Sequence, residues 1–200
     1  FIAEGHFETP FKEPAIAAVP ADWLAAVPGE VIAALHIAVE ETDNPEQNIA
    51  GVRGYFDNNT LVGGLLNDGQ AGWWTDFVVH GDGFSRFLMR GSNLRATTAG
   101  RITQRIAQME TYRMMAMLAL PHARAVRPLV ADAETRLSAI LQALADPNNE
   151  RGERELLKDL TDMAAETEKV SGELTYRFSA ARAYAEIVRQ RVRALREIRV

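Results

Sequence analysis

The sequence predicts an α+β fold, a mainly antiparallel sheet packed against a long antiparallel helical hairpin. Three observations carry that expectation. Between Leu61 and Arg90, three short apolar runs are separated by Asn67-Asp68-Gly69 and by Gly81-Asp82-Gly83, which are hairpin signals. From about Ala96 the apolar residues change to a helical period. After Pro147 no proline occurs, and the chain reads as one long helix from Glu153 to Val200. The expected organisation is a sheet-rich part over 1–95 and a helical hairpin with a basic C-terminal arm over 96–200, as one structural unit.

In chain order, Phe1 to Phe11 alternates loosely and predicts a strand over 1–9. Pro14, Pro20 and Pro28 break the next stretch, leaving room for a short helix at Ala21–Ala26, capped by Asp22 or a neighbour. Glu30–Val39 (EVIAALHIAV) is an apolar run whose length allows a buried strand or a short helix; the strand is favoured. Glu40 to Asn59 is polar and glycine-containing and reads mostly as loop. Leu61–Leu66, Gln70–His80 and Phe84–Arg90 are the three hairpin strands, with Trp73 or Trp74, Phe77, Phe84 and Phe87 filling the buried side.

The first long helix carries a stripe of Ile102, Ile106, Met109, Arg113, Met117 and Leu120. Met114–Leu120 (MMAMLAL) is apolar nearly all round, which predicts a central, buried segment. Pro121 and Pro128 kink or divide the helix, and a further segment runs over Leu129–Ala145. The last helix repeats Leu156, Leu160, Met163, Thr167, Val170, Leu174, Phe178, Ala181, Ala185, Val188, Val192 and Leu195. The seam slips by one position near Leu174, so a clean two-stranded coiled coil is excluded. At 1.5 Å per residue this helix spans roughly 70 Å, so one end is expected to project.

Charge is distributed unevenly. From Thr175 to Val200 seven arginines face two glutamates, a balance of +5, whereas the rest of the chain carries 15 basic and 25 acidic residues, a balance of −10. The arm, with Arg182, Arg189, Arg191, Arg193, Arg196 and Arg199, suits anionic lipid, nucleic acid or an acidic partner. A solvated helix face whose arginines offset the C-terminal dipole explains it equally well. No cysteine is present, which removes disulfides and thiolate metal sites and fits a reducing compartment. No apolar run approaches the length of a membrane span, and the chain as given is expected to be soluble. Its ends, on Phe1 and inside a helix, suggest an excised fragment.

Chemistry-bearing residues are sparse. His80 and Asp82, two apart in a turn, are weak candidates for a metal site, but Asp and Gly also serve a turn for conformational reasons alone. Asp76 and Arg86 come close to facing each other across the hairpin and are expected to form a structural ion pair; a catalytic carboxylate is the sharper alternative. His6 and Glu8 share one strand face, and His36 reads as a core histidine with a satisfying partner. Arg113 falls on an apolar stripe and needs a partner there; Glu110 is three residues away, and Glu166 or Glu173 can reach from the last helix. Asn58-Asn59-Thr60 is a glycosylation sequon by letter only. No phosphate loop, dinucleotide fingerprint, HExxH or GxSxG occurs. No catalytic residue or cofactor site is assigned.

Several stretches together resemble a bacterial family of unknown function whose members are described as predicted membrane-anchored proteins. They are Ala21-Asp22-Trp23-Leu24-Ala25-Ala26-Val27-Pro28-Gly29-Glu30-Val31, Trp74-Thr75-Asp76-Phe77 and His80-Gly81-Asp82-Gly83-Phe84-Ser85-Arg86-Phe87-Leu88. Gly100-Arg101, Gln104-Arg105, Glu110-Thr111-Tyr112-Arg113-Met114, Ala119-Leu120-Pro121 and Tyr176-Arg177-Phe178-Ser179-Ala180-Ala181-Arg182-Ala183-Tyr184 fit the same pattern. The matches come in family order along nearly the whole chain, while 40–60 fits poorly. The resemblance implies a further N-terminal segment and a C-terminal membrane-anchoring region. It brings no activity. An anchor after Val200 would set the arginine-rich end beside the membrane on its cytoplasmic side.

The expected role is therefore a non-enzymatic cytoplasmic domain of an inner-membrane-anchored protein in bacteria, acting in assembly or interaction. Its expected partners are the membrane and further copies of itself. The alternatives are a regulatory domain of a CorA-like divalent-cation transporter, by analogy of architecture alone, and an enzyme with a site around Asp76, His80 and Asp82. Nucleic acid ranks last among the partners.

Overall fold

In a computed structural model of the chain, residues 2, 5, 9–42, 49–66, 71–92, 95–146 and 151–196 are described. The strand expected over 1–9, with His6 and Glu8, lies largely outside them. The chain divides into two compact units, one of Phe1–Met114 with Glu186–Val200, the other of Met115–Ala185.

The first unit is built on a four-stranded sheet. The strands are β1 (Leu35–Glu41), β2 (Val62–Leu66), β3 (Ala71–Val79) and β4 (Ser85–Gly91), in the order β1-β4-β3-β2. The β2–β3 and β3–β4 pairs are antiparallel, as the turn signals predict, and β1 joins β4 in parallel. The sheet is thus mixed but mostly antiparallel. The connection after β1 leads to β2 at the opposite edge, and the two antiparallel pairings that follow bring β4 back beside β1 in the same direction, so the last pair is parallel.

Both faces of the sheet are covered. On one face Leu66, Ala71, Trp73, Phe87 and Met89 form a core with Ile102, Ile106 and Met109 of α3 (Ala96–Met117) and with Leu195 of the last helix. On the other, Trp74 and Leu88 pack with Val52 and Phe56. The two tryptophans therefore serve opposite faces, as alternation along a strand requires. Phe84 fills neither core.

The segment between β1 and β2 corrects the expectation of a mostly irregular loop over 40–59. A short helix α2 (Ile49–Arg53) runs into a 3-10 turn at Gly54–Phe56. Val52 and Phe56 are buried on the open side of the sheet. Only two apolar anchors, four residues apart, were needed to fold it down, too few to stand out in a polar stretch. The earlier helix α1 spans Ala21–Ala25, with Pro20 rather than Asp22 at the cap position and Asp22 in the first turn.

The second unit is helical. After α3 ends, α4 (Leu120–Ala145) begins with Pro121 in its first turn, where a missing N–H costs nothing, and carries Pro128 inside it. The third long helix is α5 (Glu153–Arg196). Within the unit, Arg136 of α4 donates to Glu166 of α5 at 3.0 Å. The run Met114–Leu120 is not the buried centre expected of it, since Met117 and Leu118 are 44 and 49 % exposed. It spans the end of α3 and the break at Leu118 and Ala119, where a turn replaces the helix before α4 begins.

Candidate functional site

The β3–β4 hairpin organises the polar residues of the first unit. Its ladder is regular from Ala71↔Gly91 to Thr75↔Phe87, then shifts and resumes at Val79↔Ser85. The irregularity centres on Phe77, whose φ is +55°. This is a costly conformation for a non-glycine residue. Side chains hold it in place: Phe77 N donates to Thr75 Oγ1 at 3.1 Å, and Val78 N donates to Asp76 Oδ1 at 3.1 Å.

The bulge decides which residues meet. A uniform hairpin places Asp76 near Arg86, but the register shift breaks that relation. Arg86 instead reaches Asp82, with Nη2 to Oδ2 at 3.7 Å, and donates through Nη1 to the Tyr55 carbonyl at 3.0 Å. Asp76, whose side chain is fully buried, turns to His80 and to Asn59.

His80 lies between two carboxylates. Its Nδ1 is 2.9 Å from Asp57 Oδ2, and its Nε2 is 3.1 Å from Asp76 Oδ2, off the line of a good hydrogen bond. The ring is 1 % exposed, the Asp76 side chain 0 % and the Asp57 side chain 71 %. Asp76 Oδ2 also accepts the Asn59 amide at 2.8 Å. Asp57 and Asn58 both have left-handed φ, +53° and +61°, which turns Asp57 towards the imidazole and Asn59 towards Asp76. Arg53 Nη2 closes the loop by donating to the Asn58 carbonyl at 2.9 Å. Both ring nitrogens therefore face carboxylates of the chain itself, with Nδ1 hydrogen-bonded to Asp57 and Nε2 close to Asp76 without a hydrogen-bond partner.

Asp82 belongs to a different group. Its Oδ1 accepts the Phe84 N–H at 3.0 Å, while Oδ2 lies 3.6 Å from His36 Nε2. Gly83, at φ +84°, closes the turn by donating its N–H to the His80 carbonyl at 2.9 Å. His36 stacks on Phe84, with ring centroids 4.0 Å apart and planes 7° from parallel. Burial lowers the His36 pKa below its ordinary value; Asp82 opposes that shift and Arg86 reinforces it. For Asp82, burial acts to raise the pKa, but the Phe84 N–H, Arg86 and His36 together bring it below the ordinary value. The two weak metal candidates, His80 and Asp82, thus engage different partners. Among the described residues no group of three His, Asp or Glu side chains is placed to hold a metal ion.

On the α3 face, Glu110 is fully buried. It accepts Ser85 Oγ at 2.6 Å, and Arg113 clamps it with Nε to Oε2 and Nη2 to Oε1, both 2.7 Å. The Arg113 guanidinium lies 5.1 Å from the centre of the Phe77 ring. Of the other carboxylates within sequence reach, Glu166 serves Arg136. The bulge thus sends Asp76 into one polar network and Phe77 beneath the other.

The basic arm is not a projecting end. Val188, Val192 and Leu195 pack against the sheet and α3, and Leu195 is 1 % exposed. Arg105 of α3 donates to the Ala194 carbonyl at 2.9 Å. The helix length misled because it was compared with a single compact body, whereas α5 runs through both units. Arg189 and Arg193 remain exposed, as does Arg182 in the second unit, while Arg191 is half-buried with an Nε that meets no hydrogen-bond partner. The side chain of Arg196 and all of Arg199 lie outside the described residues. On the α3 side Arg95 and Arg101 are exposed, and Arg105 is the one that reaches the docked segment, through the Ala194 carbonyl. Over 95–109 and 186–195 there are six arginines and one acid, Glu186, in a chain whose net charge is −5.

Sequence reasoning missed Asp57, Asn59 and Tyr55, all in the segment to which it gave no role. The run Asp57-Asn58-Asn59, made of residues that tolerate left-handed backbone, was the available signal.

No helix is long and apolar enough to cross a membrane among the described residues. No curated protein and no solved structure matches the chain. The family model described as "Protein of unknown function (DUF3422)" matches residues 1–200, and the chain belongs to that family.

Proposed function

We propose that this chain is a non-enzymatic interaction domain of a membrane-anchored protein, held with its arginine surface towards anionic headgroups on the cytoplasmic side of the inner membrane. The observation that carries the reading is the concentration of six arginines against one glutamate where α3 meets the end of α5. A cationic surface is drawn to an anionic bilayer at short range, while salt screens the acidic remainder of the chain beyond about a Debye length. The arrangement around His80 is consistent with a role without catalysis, because the buried ring is held at Nδ1 by Asp57 and faces the Asp76 carboxylate at Nε2.

Co-sedimentation with vesicles tests the reading. The chain is expected to bind pure phosphatidylglycerol vesicles, to ignore pure phosphatidylcholine vesicles, and to lose binding as salt screens the charges. Replacing exposed Arg101, Arg189 and Arg193 together by Glu should abolish binding while leaving the circular dichroism spectrum intact. Equal binding to both lipids, or none to either, would overturn the proposal. So would a native-length protein that stays in the soluble fraction.

A further inference from the structure

Among the described residues of the second unit, α4 carries an apolar stripe that α5 leaves uncovered. Val130, Leu137, Leu141 and Leu144 are 50, 39, 56 and 53 % exposed. Their spacing of seven, four and three residues is that of a helix–helix seam. The stripe borders the side of α4 that meets α5, where Ile140 is buried and Arg136 reaches Glu166. Two helices alone enclose little: among the described residues of 120–185, Ile140 and Leu156 are the buried ones. Isolated helical pairs gain their stability by burying such seams against further helices.

Two more observations identify the occupant. The first is shape. At the N-terminal end of the stripe lies an open groove of about 400 Å³, lined by Ala123, Val126, Arg127, Val130, Ala131 and Glu134 of α4 and by Phe178 of α5. At the C-terminal end stand the exposed side chains of Leu141 and Leu144. One end of the stripe is hollow and the other protrudes.

The second is charge. From Leu120 to Ala131, α4 carries Arg124 and Arg127 and no acid; from Asp132 to Asp146 it carries Asp132, Glu134 and Asp146 against Arg136. α4 therefore has a charge imbalance along its length, basic in its first half and acidic on balance from its middle to the Asp146 that follows its last turn. An antiparallel copy of α4 offsets it at both ends, and the same reversal sets the protruding leucines of one copy against the hollow of the other.

We propose that α4 pairs antiparallel with α4 of a second copy about a two-fold axis near Leu137, so that two hairpins form a four-helix bundle. In that register Val130 of one copy meets Leu144 of the other, Leu137 meets itself, and Arg127 stands beside Asp146. The contact is self-complementary, which closes the assembly at two chains. The inference deepens the assembly role proposed above, but the pairing itself needs no lipid.

Light scattering of the whole 200-residue chain in lipid-free buffer tests it. The expected mass is twice the 22.1 kDa of one chain. The surface double variant L137E/L141E should be monomeric with an unchanged circular dichroism spectrum, and each single variant should weaken the dimer roughly tenfold or more. R127D and D146R should each weaken it, and the two together should restore it. A chain that is monomeric without lipid overturns the proposal, whatever it does on vesicles. So does an oligomer indifferent to L137E/L141E, or a charge swap that restores nothing. A dimer that ignores phosphatidylglycerol leaves this pairing standing and overturns only the membrane reading.

Discussion

Asp57 and His80 meet through Oδ2 and Nδ1 at 2.9 Å, and that contact ties the left-handed turn after α2 to the end of β3. Asp57 is largely exposed and His80 is not, so the two partners are not equivalent. Removing Asp57 leaves a histidine nitrogen that water can reach, whereas removing His80 leaves the buried Asp76 carboxylate with Asn59. D57A is expected to cost about 1 kcal/mol and H80A about 2–3 kcal/mol or more. Urea unfolding followed by circular dichroism measures both. Equal losses would show that Asp76 does not depend on the imidazole.

Glu110 and Arg113 form a pair that is buried on the carboxylate side and bidentate in geometry. Breaking such a pair from one side is costlier than removing it whole. E110A and R113A are each expected to destabilise by about 3–5 kcal/mol, with Glu110 the larger because Ser85 also loses its acceptor. The double variant E110Q/R113M should recover part of either loss. A double variant as unstable as the sum of the singles would overturn the pairing.

Stability should rise with pH just below pH 6.5. The His36 pKa is lowered from 6.5 chiefly by burial, so in that window the unfolded chain binds more protons than the folded one. The contribution is fully present above 6.5 and is lost as the pH falls towards the folded value. Asp82, also lowered, adds a loss in the same direction at pH values below its ordinary 3.8. H36F keeps an aromatic ring beside Phe84 and removes the titration. Its denaturant midpoint should therefore vary less with pH just below 6.5; an unchanged slope would show that His36 does not titrate there.

Gly63 and Gly81 should respond oppositely to alanine. A Cβ on Gly63 would stand 2.2 Å from the Trp73 carbonyl oxygen, a backbone atom that cannot move aside without disturbing the β2–β3 ladder, whereas a Cβ on Gly81 meets nothing within 4 Å. G63A is expected to cost about 1–3 kcal/mol. G81A should be close to neutral by thermal melting.

The docked end of α5 gives a last contrast. L195A should cost about 2–5 kcal/mol, because the side chain sits in the core beneath the sheet. R193A, on the exposed side of the same turn, should leave stability within about 0.5 kcal/mol while weakening vesicle binding. A neutral L195A would return the arm to solvent.

Much of this architecture is written locally. The apolar stripe of α5 from Leu156 to Leu195 is half-buried or buried at every named position but Thr167, and the alternation in β4 sets Ser85, Phe87 and Met89 towards α3. The turns at Asn67-Asp68-Gly69 and Gly81-Asp82-Gly83 joined the right strands, although the first lies outside the described residues. Such features are legible because periodicity and turn chemistry act over a few residues. By itself the sequence determined the fold class, the long helices in outline and the antiparallel strand pairs. Only the tertiary structure decided the parallel docking of β1, the burial of the arginine-rich helix end, and the partners of Asp76, Arg86 and His80. Each depends on residues far apart in the chain. The bulge at Phe77 exchanged Asp76's partner from Arg86 to His80, and Asp57 arrived from a segment with only two apolar anchors. Periodicity reveals which face of an element is buried; it does not carry the register between elements, and here register decides which charges meet.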